Sequence, residues 1–127
     1  MNKVMLIGHL GKDPELRYTQ NGRPVARLSV ATNERWTKAD STQEERTDWH
    51  TVDAWGRTAE NCAQYLAKGR QVFIEGRIQY DAVLQEDGST KYYTKIVAQQ
   101  VEFLGGNGQR QPVDEANETP IVEEIPF

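Results

Sequence analysis

The sequence has few of the residues that covalent or metal chemistry needs. Of its 127 residues only Cys62 is a cysteine. That excludes an intramolecular disulfide framework and a multi-cysteine zinc site, and it favours a reducing compartment, the cytoplasm. The two histidines, His9 and His50, stand in unrelated contexts with no Ser/His/Asp or metal-spaced cluster around them. No activated nucleophile or base is therefore expected, and neither an enzymatic activity, a metal nor a cofactor. The glycines of the segment Gly105 to Gly108 follow a strand pattern but open no helix, so they form no phosphate loop. Long apolar runs are also missing. Lys3 is followed only by Val4-Met5-Leu6-Ile7 before Gly8, too short for a signal peptide or a membrane span, and neither secretion nor membrane insertion is expected.

A basic excess is absent too, since the formal net charge is -4. Its distribution matters more than its sum. Met1 to Leu104 carries 14 Lys+Arg and 14 Asp+Glu, whereas Gly105 onward carries one Arg and five acids. The body is neutral and free to hold a local basic track, and the negative charge belongs to the tail.

The stretch that organises what is present runs Asp48-Trp49-His50-Thr51-Val52-Asp53-Ala54-Trp55-Gly56. As a strand it puts Trp49, Thr51, Asp53 and Trp55 on one face and His50, Val52 and Ala54 on the other. Indoles interleaved with Thr and Asp make a poor core layer, because a carboxylate is costly to bury without a partner. Such a face reads as a wet surface on which unpaired bases could stack. A pair of half-buried aromatics is the alternative.

Around this stretch the chain reads mostly as strands. Lys3 to Leu10 places Val4, Leu6, Gly8 and Leu10 on one face and Met5 and Ile7 on the other, with both faces covered. Glu15 to Tyr18 is a short extended piece between the turns Asp13-Pro14 and Asn21-Gly22. Val25 to Trp36 points Ala26, Leu28 and Val30 inward, and Lys38 to Thr47 reads as a mobile polar loop that leaves Trp36 near the Trp49 face. A short helix follows, capped by Thr58, with Ala59, Cys62, Ala63 and Leu66 as its apolar stripe and Gly69 as its stop. Arg70 to Val83 and Lys91 to Leu104 are two long strands joined by a hairpin turn over Gln85 to Ser89. Gly76 in mid-strand marks a bulge or bend.

Three strands, a helix and two strands, with a mid-strand glycine, fit an all-β fold: the five-stranded OB-fold Greek-key barrel. The domain spans residues 1–104. Residues 105–120 read as a flexible linker and 121–127 as an acidic-hydrophobic tip in a disordered acidic tail. Ile125 and Phe127 are more than a solubilising tail needs, which suggests a partner-binding peptide.

The chain closely resembles the bacterial single-stranded DNA-binding protein family. The resemblance rests on Asn2-Lys3-Val4, Gly8 to Glu15, Arg17-Tyr18, Asn21-Gly22, Ala31-Thr32 with Trp36, Trp49-His50, Tyr65-Leu66, Lys68-Gly69, Val72 to Gly76, and the end Glu124-Ile125-Pro126-Phe127. It implies an OB-fold homotetramer that wraps single-stranded DNA without sequence preference, performs no chemistry and recruits replication and repair proteins. It implies stacking by Trp36, Trp49 and Trp55, and a subunit contact at His50. Lys3, Arg57 and Lys68 match basic positions that meet phosphates, and Arg35, Arg70 and Arg77 are added as candidates. The same cations could equally be solvated strand edges. The tip is Glu123, Glu124, Ile125, Pro126 and Phe127.

Two departures stand out. Val83 occupies a hairpin position where many members carry a stacking tryptophan, with Gln79 and Asp81 in place of basic residues, and Tyr80 is the candidate substitute. The linker is short and the tip has glutamates where aspartates are typical, as in a phage or plasmid variant. An OB-fold scaffold that mainly binds protein is the competing reading, and retention of three tryptophans argues against it.

Overall fold

The computed structural model describes residues 1–105. The linker and tip expected over 105–120 and 121–127 lie outside the described residues, apart from Gly105. Alternating burial defines the strands. In β1 (Val4–Leu10), Gly8 and Leu10 are sealed while Met5, Ile7 and His9 are exposed. β2 (Glu15–Tyr18) is short, and β3 (Pro24–Thr37) buries Ala26, Leu28 and Val30. β4 (Gln43–Trp55) buries Val52 and Ala54. Helix α1 (Arg57–Tyr65) precedes β5 (Gln71–Leu84) and β6 (Thr90–Leu104).

The sheet runs β1-β5-β6-β4-β3-β2 and closes where β1 also pairs with β3, His9 opposite Ala31 and Leu10 opposite Val30. A parallel pair, Val52 with Ile96 and Asp53 with Val97, joins β4 to β6. Five strands thus form the closed OB-fold barrel expected from the sequence, and β2 flanks β3 outside it. Leu28, Val30, Val52, Val72 and Ile74 are fully buried at its centre.

Curling the sheet needs a local irregularity, and it falls at the expected place. The register jumps from Glu75 opposite Gln100 to Gly76 opposite Ala98, leaving Gln99 as the extra residue on β6. Gly76 supplies the room, because a Cβ there would collide with the Val97 carbonyl.

Four expectations are corrected. The outer face of β1 is open, with Met5 63% and Ile7 38% exposed. Thr58 does not cap the helix: Gly56 holds the cap position with φ 67°, and no side chain caps it. The helix stops at Tyr65, where the Leu66 amide donates to the Cys62 carbonyl, well before Gly69. Half of the supposed loop is regular strand, since Thr37 pairs with Gln43 and only Lys38–Thr42 turns. The periodicity there carries no apolar signal because this part of the ribbon leaves the barrel and has water on both faces. Cys62 is core filler as expected, and burial pushes its thiol up to about 12.

Candidate nucleic-acid interface

Cross-strand pairing assembles one outer face from five strands. Along β4 it carries Trp49, Thr51, Asp53 and Trp55, whose β3 partners are Ala31, Ser29, Arg27 and Val25. Beyond β3, β2 adds Glu15 and Arg17. On the other side, Val97 neighbours Asp53, and β5 continues the face with Arg77, Gln79, Asp81 and Val83 opposite Val97, Lys95, Tyr93 and Lys91.

Asp53 lies at the centre of this face, where a wet surface was expected, yet it is only 3% exposed. Two cations make that burial tolerable. Arg27 Nε and Nη2 donate to Oδ1 and Oδ2 at 2.9 and 3.1 Å, and Lys95 Nζ stands 3.3 Å from Oδ2 and 3.2 Å from Asp81. Burial alone would raise the Asp53 pKa, but the Arg27 and Lys95 hydrogen bonds and charges outweigh it and hold the carboxyl below its ordinary value. Asp81 is likewise lowered, by Gln79 first and then Lys95. The face carries Arg17, Arg27, Arg77, Lys91 and Lys95 against Glu15, Asp53 and Asp81, so it is net positive on a neutral body.

Trp49 is 63% exposed, and its ring lies across Gly11, where an added Cβ would strike Cζ3 and Cη2. Trp55 is half-buried beside a hollow of about 270 Å³ lined by Glu15, Arg17, Val25, Arg27 and Asp53. The Arg23 guanidinium sits 4.7 Å from its ring centroid. Trp36 is 44% exposed but is not on the Trp49 face. The β3–β4 register is unbroken from Val25 opposite Trp55 to Thr37 opposite Gln43. Trp36, an odd number of residues from Ala31, therefore projects from the opposite side of the ribbon.

These features meet what unpaired nucleic acid asks of a surface: open rings, interspersed cations and no apolar seal. A model of the single-strand binding protein family matches residues 1–104. The chain belongs to that family. Among curated relatives it is 44% identical over 109 residues to the single-stranded DNA-binding protein of Xanthomonas axonopodis pv. citri, covering 86% of this chain and 61% of the relative. It is 48% identical over 108 residues to single-stranded DNA-binding protein 1 of Chlorobaculum tepidum, covering 83% and 65%. The chain thus spans somewhat under two thirds of these relatives' length. Among solved structures, a Plasmodium falciparum SSB in complex with ssDNA superimposes with a TM-score of 0.75 at 29% identity, covering 81% of this chain and 94% of that one. A deletion mutant of the single-stranded DNA binding protein from Thermus aquaticus gives 0.74 at 33%, covering 86% and 53%.

Proteins of the single-strand binding family bind rather than catalyse. No cluster of three or more His, Cys, Asp or Glu suited to a metal occurs among the described residues. No helix among them is long and apolar enough to cross a membrane.

The basic positions singled out in this family member fall into two groups. Arg57, at the first turn of α1, is exposed with no carboxylate partner among the described residues. Lys68, in the turn before β5, is exposed with no ion pair of its ammonium among them, while its backbone amide donates to Asp13 Oδ1 at 2.8 Å. The Arg77 guanidinium donates to Gln79 Oε1 at 3.2 Å. Lys3 instead pairs with Glu75, Arg35 lies 3.8 Å from Glu45, and Arg70 Nη1 donates to the Tyr65 carbonyl at 3.2 Å, tying down the end of α1. His50 is half-buried and hydrogen-bonded through Nε2 to the Thr32 hydroxyl at 2.9 Å. Sequence reasoning missed Arg17, Arg23, Arg27, Lys91 and Lys95. The β-period puts Arg27 on an outer face, but cross-strand register is needed to bring it, and Lys95, to Asp53.

Proposed function

We propose that this protein binds single-stranded DNA without regard to base sequence, shields it during replication, recombination and repair, and brings other proteins to it through its C-terminal tip. The observation that carries the reading is the outer face of β4, where Trp49 is 63% exposed on the same side as Trp55 and among cations. Large rings left in water contribute little to folding, whereas every base can stack on them. The names of the relatives and the neighbour solved with ssDNA support the same ligand.

In this reading Trp49 and Trp55 stack bases on the outer face, and Trp36 does so after the strand rounds the ribbon. Arg57, Lys68 and Arg77 meet phosphates first. Lys3 and Arg35 do so only by sharing with Glu75 and Glu45, and Arg70 contributes from its seat on the helix end. The protein acts as a homotetramer in the cytoplasm, on the nucleoid, with His50 at a subunit contact. The exposed Met5 and Ile7 of β1 support self-association, since an apolar strand face in water invites a cover. Glu123 to Phe127 dock replication and repair proteins, the acids meeting basic pockets and Phe127 an apolar one.

Titration with oligo-dT while tryptophan emission is followed tests the ligand. Quenching is expected, with weaker binding but a nearly unchanged salt slope in Trp49→Ala. Full-strength emission at saturating oligo-dT would overturn the reading. Removing Ile125 to Phe127 should spare that titration and abolish pull-down of replication proteins, and retained pull-down would remove the tip from the proposal.

A further inference from the structure

We propose that Tyr93 is a base-stacking platform on the β5–β6 arm, facing Trp49 across the gap between the two arms. The ligand is an unpaired nucleobase of any identity, so the inference rests on the single-stranded DNA reading above. Four observations carry it.

The arms leave the barrel from the same place in the same direction. β4 and β6 are parallel where they join, Asp53 beside Val97. Trp49 lies four residues before Asp53, and Tyr93 lies four residues before Val97. Each ring is therefore about 13 Å along its strand from the junction, at a rise of about 3.3 Å per residue. Tyr93 also shares the outer face. It stands two residues from Lys95, whose Nζ reaches Asp53 Oδ2 at 3.3 Å, and directly opposite Asp81, the other partner of Lys95.

The ring is 46% exposed, so packing does not account for it. A cation lies over it, Lys91 Nζ 5.3 Å from the ring centroid, and a base takes that face by moving the long lysine side chain to its edge. A nucleotide stacked there would bring its phosphate towards that ammonium. Lys91 has no carboxylate partner among the described residues.

Tyr80 and Tyr92, though more exposed, are on the wrong side. Tyr80 pairs with Thr94 and Tyr92 with Ala82, on the face that continues Ile78 and the buried Ile96. Tyr80 therefore cannot replace an aromatic missing at Val83. Tyr93 can, because Val83 lies on its face, opposite Lys91.

The test compares oligo-dT affinity of the full chain with that of Tyr93→Ala, Tyr93→Phe, Tyr80→Ala and Trp49→Ala, with melting curves as the fold control. Loss of one stacking contact predicts a drop on the order of 5- to 150-fold for Tyr93→Ala, none for Tyr80→Ala and near-parental binding for Tyr93→Phe. Adding Val83→Trp to Tyr93→Ala should restore binding, and adding Ala82→Trp should not. Photo-crosslinking to iododeoxyuridine oligonucleotides, mapped by mass spectrometry, should mark Tyr93. Loss of binding in Trp49→Ala with parental binding in Tyr93→Ala, or a crosslink on Tyr80 instead of Tyr93, overturns this assignment and leaves the parent reading standing. Failure of the unmodified protein to bind oligo-dT overturns both.

Discussion

The barrel and the two arms are stretches of the same strands, yet they follow opposite rules. Within the barrel every second residue is sealed: Ala26, Leu28, Val30, Val52 and Ala54 are fully buried. Past the barrel both faces of each ribbon meet water, and Trp36, Tyr80, Leu84, Tyr92 and Tyr93 stay exposed. Burial of such side chains is worth about 25 cal/mol per Å² of apolar surface, and the arms forgo it on folding. The arms also differ from each other. On the β3–β4 arm each cation faces an acid: Arg35 with Glu45, Lys38 with Glu44, Arg46 with Asp48. On the β5–β6 arm Lys91 faces the Tyr93 ring instead. Stability belongs to the barrel, and of the two arms the second holds a cation, Lys91, that faces a ring and not an acid.

The strongest way to break this division is a core truncation. Leu28→Ala removes a fully buried side chain from the barrel centre and should cost about 2–5 kcal/mol in urea unfolding. Oligo-dT affinity of the molecules still folded should not change. A loss below about 1 kcal/mol would mean that the barrel is not where stability resides.

Next in size is the acid at the seam between barrel and arms. The Asp53 carboxyl is held below its ordinary value, so its stabilisation is present above the unfolded-state pKa of about 3.9 and is lost as pH falls through the lower folded-state value. Unfolding free energy should be insensitive to Asp53 from neutrality to about pH 5, then fall in acid, and Asp53→Asn should flatten that fall. The neutral-pH cost of Asp53→Asn should stay below that of Leu28→Ala, because the Arg27 side chain is 53% exposed and water can rehydrate its guanidinium.

Asp53 also marks the limit of what the sequence discloses. Period-2 alternation correctly put Val52 and Ala54 inside and Trp49 outside, because those faces differ in hydrophobicity. It made Asp53 wet because its partners are encoded elsewhere: Arg27 is 26 residues away, and Lys95 sits on β6, which meets β4 through the parallel pair. The barrel was legible from five strands, one helix and Gly76, although the bulge itself falls on Gln99 of the partner strand. The shared face of Trp49 and Trp55 in the candidate site was legible, but not the side of Trp36, which is set by an unbroken register that composition does not report. Tyr80 drew attention by proximity to Val83 in sequence, whereas residue parity puts them on opposite faces.

A smaller effect sharpens the link between barrel and ring. The Trp49 indole rests on the bare backbone of Gly11, the residue that follows β1, and Gly11→Ala would push it aside. Affinity for oligo-dT should fall by about 1 kcal/mol or less, part of the 1–3 kcal/mol of a stacking contact. Combined with Trp49→Ala, the Gly11 substitution should add nothing further. Additive losses in the double variant would show that Gly11 acts independently of the ring.

The smallest expected difference separates free cations from paired ones. Each phosphate contact to a single strand contributes about 0.7 to the slope of log affinity against log salt. Arg57 faces no carboxylate among the described residues, so Arg57→Ala should remove close to that amount. Arg35 lies 3.8 Å from Glu45, and a phosphate there must compete with an acid already in place, so Arg35→Ala should change the slope by clearly less. Affinities measured across a salt series decide between them. Equal slope changes would mean that Glu45 gives up Arg35 without resistance and that the β3–β4 arm is as open to phosphate as the first turn of α1. A larger change at Arg35 would reverse the comparison and make the paired arm the principal electrostatic track.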